Sequence, residues 1–242
     1  MPPKQKSNAE GNEKDRVAAG KRTVLLVDDH PVVREGMAGR INREADFTVC
    51  GTPQNGAEMM EAIARLNPDI VLMDLGLPQG HGLELMQDVH AQYPRLPVII
   101  FSMHEESIYA ERALRAGARG YLMKHESSER VLEGMRTVLH GGYALSRETS
   151  DRLLSAFGTP VKGQPESPVA ALGNRELVVF QFIGQGKGTR EIAGLLHLSV
   201  KTVETYRERL KKKLNLSSGP DLARQAVLWV ESNFSHSLSP NR

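Results

Sequence analysis

Between residues 22 and 142 the apolar positions alternate between two spacings. Five short unbroken runs stand out: TVLLVDD (23–29), FTVCG (47–51), DIVLMDL (69–75), PVIIFSM (97–103) and GYLMK (120–124). Their length and continuity predict strands buried on both faces. The segments between them carry apolar residues at helical spacing, as in PVVREGMAGRIN (31–42), where Val33, Met37 and Ile41 recur at i, i+4 and i+8. NGAEMMEAIARL (55–66), GLELMQDVHAQY (82–93), SIYAERALRAG (107–117) and SSERVLEGMRTVLHGG (127–142) follow the same rule. Asn55, and Ser127 or Ser128, sit where helix caps are needed, and Gly117 and Gly141 where helices stop. Strands alternating with helices predict an α/β domain, with a doubly wound, five-stranded parallel sheet covered on both faces and right-handed crossovers.

After residue 142 the pattern changes. YALSRETSDRLLSAF holds one short helix with Leu153, Leu154 and Phe157 on a face, and GTPVKGQPESP reads as a linker, so 143–170 is expected to separate two domains. From 171 to 234 only helices are predicted, over 174–186, 189–198, 199–215 and 220–233. They make a small all-α domain. Residues 1–21 and 235–242 read as tails, the first because it lacks apolar residues to bury.

Composition narrows the classes of function. The chain has 242 residues, is 40% hydrophobic, and carries a net charge of only +2. A single cysteine, Cys50, excludes a disulfide framework or a cysteine zinc site within one chain, and fits a reducing cytoplasm. No run of 18 apolar residues exists to span a membrane, and the N-terminus has no signal-peptide core.

Candidate chemistry lies at the strand ends. In a doubly wound sheet, ligands sit beyond the carboxyl ends of the strands near the switch point. Strand one ends in Asp28 and Asp29, strand three in Asp74, strand four carries Ser102, and strand five ends in Lys124. Crowded carboxylates repel, and a hard divalent cation such as Mg²⁺ neutralises them while keeping waters and reaching a phosphate oxygen. Lys124 adds a second positive charge and Ser102 a hydroxyl. This set suits transfer of a phosphoryl group onto a carboxylate.

Residues 23–140 resemble the receiver domain of two-component response regulators, through VLLVDDHPVVREGM, DIVLMDLGLP and RALRAGARGYLMK. The resemblance implies a flavodoxin-like fold with Asp74 as phospho-acceptor. It implies that Asp28, Asp29, Asp74 and the carbonyl of Gly76 hold Mg²⁺. It makes Ser102 the switch hydroxyl and Tyr121 the aromatic switch that turns inward on phosphorylation. Two departures stand out. GLPQGHG replaces the common Met-Asp-Gly turn, so His81 stands for an acid, and Gly76 leaves the flank of the acceptor bare, which bears on phosphoryl lifetime.

Residues 170–233 carry ten Lys/Arg and six Asp/Glu. Most of the excess lies in KTVETYRERLKKK, where six bases face Glu204 and Glu208, the footprint of phosphate contacts. The helices around His197–Ser199 have helix-turn-helix spacing, with the second helix entering the major groove. Val200, Val203, Leu210 and Leu214 are expected inside. The DNA-contacting set is Thr189, Lys201, Thr202, Glu204, Thr205, Arg207, Glu208, Arg209 and Lys211. His197 reads as a turn residue and Trp229 as core or dimer packing. This segment resembles a LuxR-type helix-turn-helix domain through REL, EIA and LSVKTVE, with Tyr206 and Thr189 where His and Asn are frequent. Receiver and output domain in this order resemble the NarL/FixJ class.

The expected function is a cytoplasmic transcriptional regulator, not an enzyme beyond assisting its own phosphorylation and dephosphorylation. Its expected partners are a sensor histidine kinase and double-stranded DNA, bound as a homodimer. Two rivals remain at this level. One is a receiver that works without phosphate. The other is an aspartate-nucleophile phosphohydrolase, for which the first strand reads Asp-Asp-His and lacks D-x-D.

Overall fold

Continuous apolar runs such as IVLM and VIIFS bury both faces of a strand, and that is where they sit. The computed structural model describes residues 20–77, 82–158, 168–196 and 198–234. The tail expected at 1–21 (except Gly20 and Lys21), the tail at 235–242, linker residues 159–167, His81 and His197 lie outside the described residues.

The first unit alternates β1 (Arg22–Val27), α1 (Pro31–Asn42), β2 (Phe47–Gly51), α2 (Gly56–Leu66), β3 (Ile70–Met73), α3 (Gly82–Gln92), β4 (Val98–Ser102), α4 (Glu106–Arg115), β5 (Gly120–Met123) and α5 (Ser128–Leu139). The strands form one parallel sheet in the order β2-β1-β3-β4-β5. Every residue of β3, β4 and β5 is buried. Side chains alternate between two cores, as period-two geometry requires. Leu25, Val27, Val71, Met73, Ile100 and Tyr121 share a cluster with residues of α2, α3 and α4. Val24, Leu26, Leu72, Ile99 and Leu122 pack with Ile41 and with Val131, Leu132 and Met135 of α5.

Local sequence sets the helix ends. The Asn55 side chain accepts from the Glu58 amide, and Ser127 from the Arg130 amide, so Ser127 rather than Ser128 is the cap. Gly117 turns the chain after α4 at φ +107°, a left-handed conformation that disfavours other residues.

The segment expected to link the domains is in part packed on the first. Ala144 bridges to Gly120 and accepts from the Tyr121 amide at 2.7 Å, which extends the sheet edge beyond 142. Glu106 accepts from the Ser146 amide at 2.8 Å, and α6 (Arg147–Gly158) follows. The expected helix is present, with Leu154 exposed.

The second unit starts with a single helical turn (Pro168–Ala171), followed by α7 (Asn174–Gly184), α8 (Thr189–Leu195), α9 (Val200–Lys213) and α10 (Gly219–Phe234). Leu177, Phe180, Ile192, Val203, Leu210 and Leu222 fill its core. Gly184 lets α10 approach closely, since a Cβ there would collide with the Ala226 carbonyl. Trp229 stacks at a tilt on Phe180, ring centres 5.5 Å apart, so it packs within this unit. Val200 departs from expectation. It is 40% exposed at the first turn of α9, whereas Val203 and Leu210 are buried and Leu214 half-buried.

Candidate functional site

Strand register places the acids together. Val27 pairs with Met73, so the next residues on the adjacent strands β1 and β3 are Asp28 and Asp74. The chain winds outward from β1 to β2 and returns past it to β3, which makes this the switch point of the sheet. Ser102 pairs with Met123 across β4 and β5, and the Lys124 amide donates to the Ser102 carbonyl at 2.9 Å.

Lys124 joins the acids. Its Nζ lies 2.7 Å from Asp74 Oδ2 and 2.7 Å from Asp28 Oδ2, with all three side chains almost wholly buried. The lysine is held inside by two carboxylates, the condition under which a buried charge is tolerated. Asp74 Oδ1 accepts from the Gly76 amide at 3.0 Å. A Cβ on Gly76 would stand 3.4 Å from Asp74 Oδ2, so the flank of the acceptor is open only because residue 76 is glycine.

His30 was not among the expected residues, although it directly follows the acidic pair. Its amide donates to Asp28 Oδ1 at 2.9 Å, and its Nδ1 lies 2.8 Å from Asp29 Oδ1. Asp28, Asp29, His30 and Asp74 each offer a ligand atom within 4.8 Å of the others. Asp28 Oδ2 and Asp29 Oδ1 are shielded from water and accept no hydrogen bond, although Lys124 Nζ and His30 Nδ1 respectively lie close to them. Carboxylate oxygens with spare lone pairs fit a hard divalent cation.

Ser102 is fully buried, and its Oγ accepts from the His104 amide at 3.2 Å. Tyr121 points inward: its ring is completely buried, and its hydroxyl donates to the His104 carbonyl at 2.8 Å. Burial pushes its phenol far above the ordinary value, so it stays a neutral donor.

The all-α unit closes over this end of the sheet. Tyr109 on α4 donates its hydroxyl to Gln181 Oε1 on α7 at 2.9 Å, and Gln181 Nε2 lies 3.1 Å from His104 Nδ1. Arg175 on α7 makes a two-pronged contact with Glu84 on α3, at 2.5 and 2.6 Å. Arg112 on α4 donates to the Leu172 carbonyl at 2.7 Å and to Asn174 Oδ1 at 3.2 Å. A cavity of about 560 Å³ remains between the units, bordered by Asp29, Gly76, His104, Arg175, Gln181 and Leu195. None of these cross-unit partners was legible as functional in the sequence.

Helix α9 starts with Ser199 as cap, its Oγ accepting from the Thr202 amide at 3.0 Å. Lys201, Glu204, Thr205, Glu208 and Arg209 are exposed, and Thr202, Arg207 and Lys211 are partly so. Lys201, Thr202, Thr205 and Arg209, with Ser199 and Tyr206, line one shallow groove. Two hydroxyls are engaged within the helix: Thr202 with Ser199 at 2.8 Å, and Thr205 with the Lys201 carbonyl at 2.9 Å. Lys211 pairs with Glu208 at 2.9 Å. Thr189 opens α8 instead, half-buried, on the preceding helix.

Comparison with known proteins agrees with this division. Residues 24–136 match the response regulator receiver domain family, and residues 170–226 match the bacterial regulatory proteins of the luxR family. The oxygen regulatory protein NreC of Staphylococcus carnosus is 32% identical over 208 residues, spanning 84% of this chain and 96% of that protein. A two-component response regulator of the LuxR family from an Aurantimonas species is 30% identical, with a TM-score of 0.53 over 57% of this chain and 99% of that one. RcsB from Salmonella enterica serovar Typhimurium, solved bound to promoter rprA with the phosphomimetic BeF₃⁻, shares the fold at 20% identity. Its TM-score is 0.62 over 86% of this chain and 98% of that one. Among the described residues no helix is long and apolar enough to cross a membrane. With a receiver fold, a LuxR-type helix-turn-helix and a full-length relative of that order, the chain belongs to the NarL-type family of response regulators, DNA-binding transcription regulators phosphorylated on a receiver aspartate.

Proposed function

We propose that Asp74 is the phosphorylated aspartate and that α9 reads DNA in the major groove. The observation that carries the first half is Lys124 Nζ standing 2.7 Å from both Asp74 Oδ2 and Asp28 Oδ2 at the switch point. In the reaction, an Asp74 oxygen forms a bond to phosphorus while the P–N bond of a phosphohistidine in the donor kinase breaks. The electron pair passes to the departing imidazole nitrogen, and Asp74 becomes an acyl phosphate. Asp28, Asp29 and Asp74 would hold Mg²⁺, with the Gly76 carbonyl as a further oxygen; when bound, the ion offsets charge on the transferred phosphoryl oxygens. Lys124 neutralises the same oxygens from the side of β5. Ser102, whose Oγ accepts from the His104 amide, donates its hydroxyl to the phosphoryl group. The receiver assists its own phosphorylation and dephosphorylation and turns over no external substrate.

Lys201, Thr202, Glu204, Thr205, Arg207, Glu208, Arg209 and Lys211, with Thr189 from the preceding helix, form the DNA-contacting set. Their exposure along one helix and their positive charge support this reading. A homodimer on paired half-sites, a cytoplasmic location and a sensor histidine kinase as donor complete it.

The acceptor is tested by phosphoryl incorporation from acetyl phosphate with Mg²⁺. Wild type is expected to label and Asp74→Asn to remain unlabelled. Equal labelling of both would overturn the assignment.

A further inference from the structure

His30 stands where a helix cap is needed and does not cap. It precedes Pro31, the first residue of α1, and its side chain makes no bond to the helix amides. A following proline confines His30 to extended backbone, and it adopts φ −87° and ψ 112°. Its amide donates to Asp28 Oδ1 at 2.9 Å, and Arg34, on the first turn of α1, donates to the Asp28 carbonyl at 2.6 Å. The loop is thus fastened around Asp28, and the imidazole is set back against the acids. Its Nδ1 lies 2.8 Å from Asp29 Oδ1 and 3.2 Å from Asp28 Oδ1.

Those separations suit neighbouring ligands on one ion. With metal–ligand bonds of about 2.1 Å, adjacent ligand atoms of an octahedral ion stand about 3.0 Å apart. Asp74 joins the set, since ligand atoms of Asp28, Asp29, His30 and Asp74 all lie within 4.8 Å of one another. A second observation also points to a ligand. Asp28 is fully buried, yet its Oδ2 accepts no hydrogen bond, and neither does Asp29 Oδ1, the oxygen facing the imidazole. The His30 side chain is 64% exposed, so an ion reaches it from solvent without any opening of the core.

We infer that His30 is a nitrogen ligand of the divalent site, which widens the site from hard ions such as Mg²⁺ to late first-row ions such as Co²⁺, Ni²⁺ and Zn²⁺. Mg²⁺ takes oxygen ligands, keeps several waters and gains little from an imidazole. Late first-row ions bind mixed nitrogen and oxygen sites more tightly, and imidazole suits them. The three carboxylates neutralise any of these ions, so the imidazole nitrogen is the group that discriminates. A histidine that only oriented Asp29 through a hydrogen bond would act on every divalent ion alike.

This inference rests on Asp28, Asp29 and Asp74 forming the divalent site, and the experiment separates the two. Full-length wild type, His30→Asn and Asp28→Asn are titrated with Mg²⁺ by calorimetry and with Co²⁺ by visible absorption. Only the Co²⁺ absorption that Mg²⁺ displaces is counted, which leaves out ions held by the other histidines. Wild type is expected to bind Co²⁺ at least about tenfold more tightly than Mg²⁺. His30→Asn is expected to lose about tenfold or more in Co²⁺ affinity and to change less than about threefold for Mg²⁺. Asparagine keeps a side-chain N–H for Asp29 and removes the imidazole, and the exposure of residue 30 leaves the core untouched. Co²⁺ and Mg²⁺ affinities that fall by the same factor in His30→Asn, or that both stay at the wild-type value, would overturn the inference alone. Mg²⁺ bound as tightly by Asp28→Asn as by wild type would overturn the metal assignment and this inference with it.

Discussion

Lys124 Nζ lies 2.7 Å from Asp74 Oδ2, and both side chains are almost fully withdrawn from water. The same ammonium meets Asp28 at the same distance. Removing it leaves two buried carboxylates without their shared cation, a change that costs about 3–5 kcal/mol when nothing replaces the charge. Lys124→Met is therefore expected to lower the melting temperature in the absence of divalent ions. Added Mg²⁺ is expected to restore more stability to this variant than to wild type, because the ion takes over the neutralising role. Thermal melts with and without Mg²⁺ check this; an equal Mg²⁺ effect in both proteins would contradict it.

Gly76 leaves the acceptor's flank open, and a side chain there would begin 3.4 Å from Asp74 Oδ2. Residue 76 is exposed, so Gly76→Leu is expected to fold normally while shielding the acyl phosphate from attacking water. The phosphoryl half-life is expected to lengthen by at least about threefold, a change of about 0.7 kcal/mol in barrier. Equal decay rates for labelled wild type and variant would remove the claim.

The hydroxyl of Thr205 bonds the Lys201 carbonyl, which leaves its methyl as the group available to a base edge. Thr205→Ser keeps the hydroxyl and deletes the methyl. Binding to a selected site is expected to weaken while nonspecific affinity holds. Lys201→Ala is expected to weaken both and to reduce the slope of log affinity against log salt by about one. Titrations over a salt series separate the two patterns, and identical behaviour of the two variants would argue against α9 as the reading helix.

Glu176 ties the start of α7 to α9. It accepts from the Gly173 amide at 2.8 Å and from Lys213 at 2.6 Å. Burial raises its carboxyl pKa, but Lys213 and the Gly173 amide outweigh that and hold it below the ordinary 4.5. A lowered folded pKa means the stabilisation is present above about pH 4.5 and is lost as pH falls through the folded value. Lys213 is half-exposed, so solvent screens part of the pair. Glu176→Gln is expected to cost about 1 kcal/mol at pH 7 and less at pH 3. A loss that is the same at both pH values would show that charge is not what Glu176 supplies.

Much of this was legible because it depends on local spacing. Strand runs, the Asn55 cap, the Gly117 turn and the convergence of Asp28, Asp74 and Lys124 all follow from where apolar runs stop. Register then carries Asp28 and Asp74 side by side with no further information needed. What could not be read depends on how two folded units meet. Tyr109, Gln181 and His104 are ordinary helix and loop residues until docking brings α7 over α4. The partner of the Tyr121 hydroxyl was likewise illegible, since it is a carbonyl, that of His104, whose position only the loop after β4 sets. Val200 was misread because its period fits the inward face, although the first turn of α9 lies beyond the core it would need.

The central claim is that phosphorylation of Asp74 controls DNA binding. The most direct measurement is sequencing of genomic DNA fragments retained by the full-length protein, with and without acetyl phosphate and Mg²⁺, for wild type and Asp74→Asn. The account predicts a set of fragments retained by wild type that is strongly enriched by the phosphodonor, and no such enrichment for Asp74→Asn. The same fragments retained at the same level under all four conditions would contradict it.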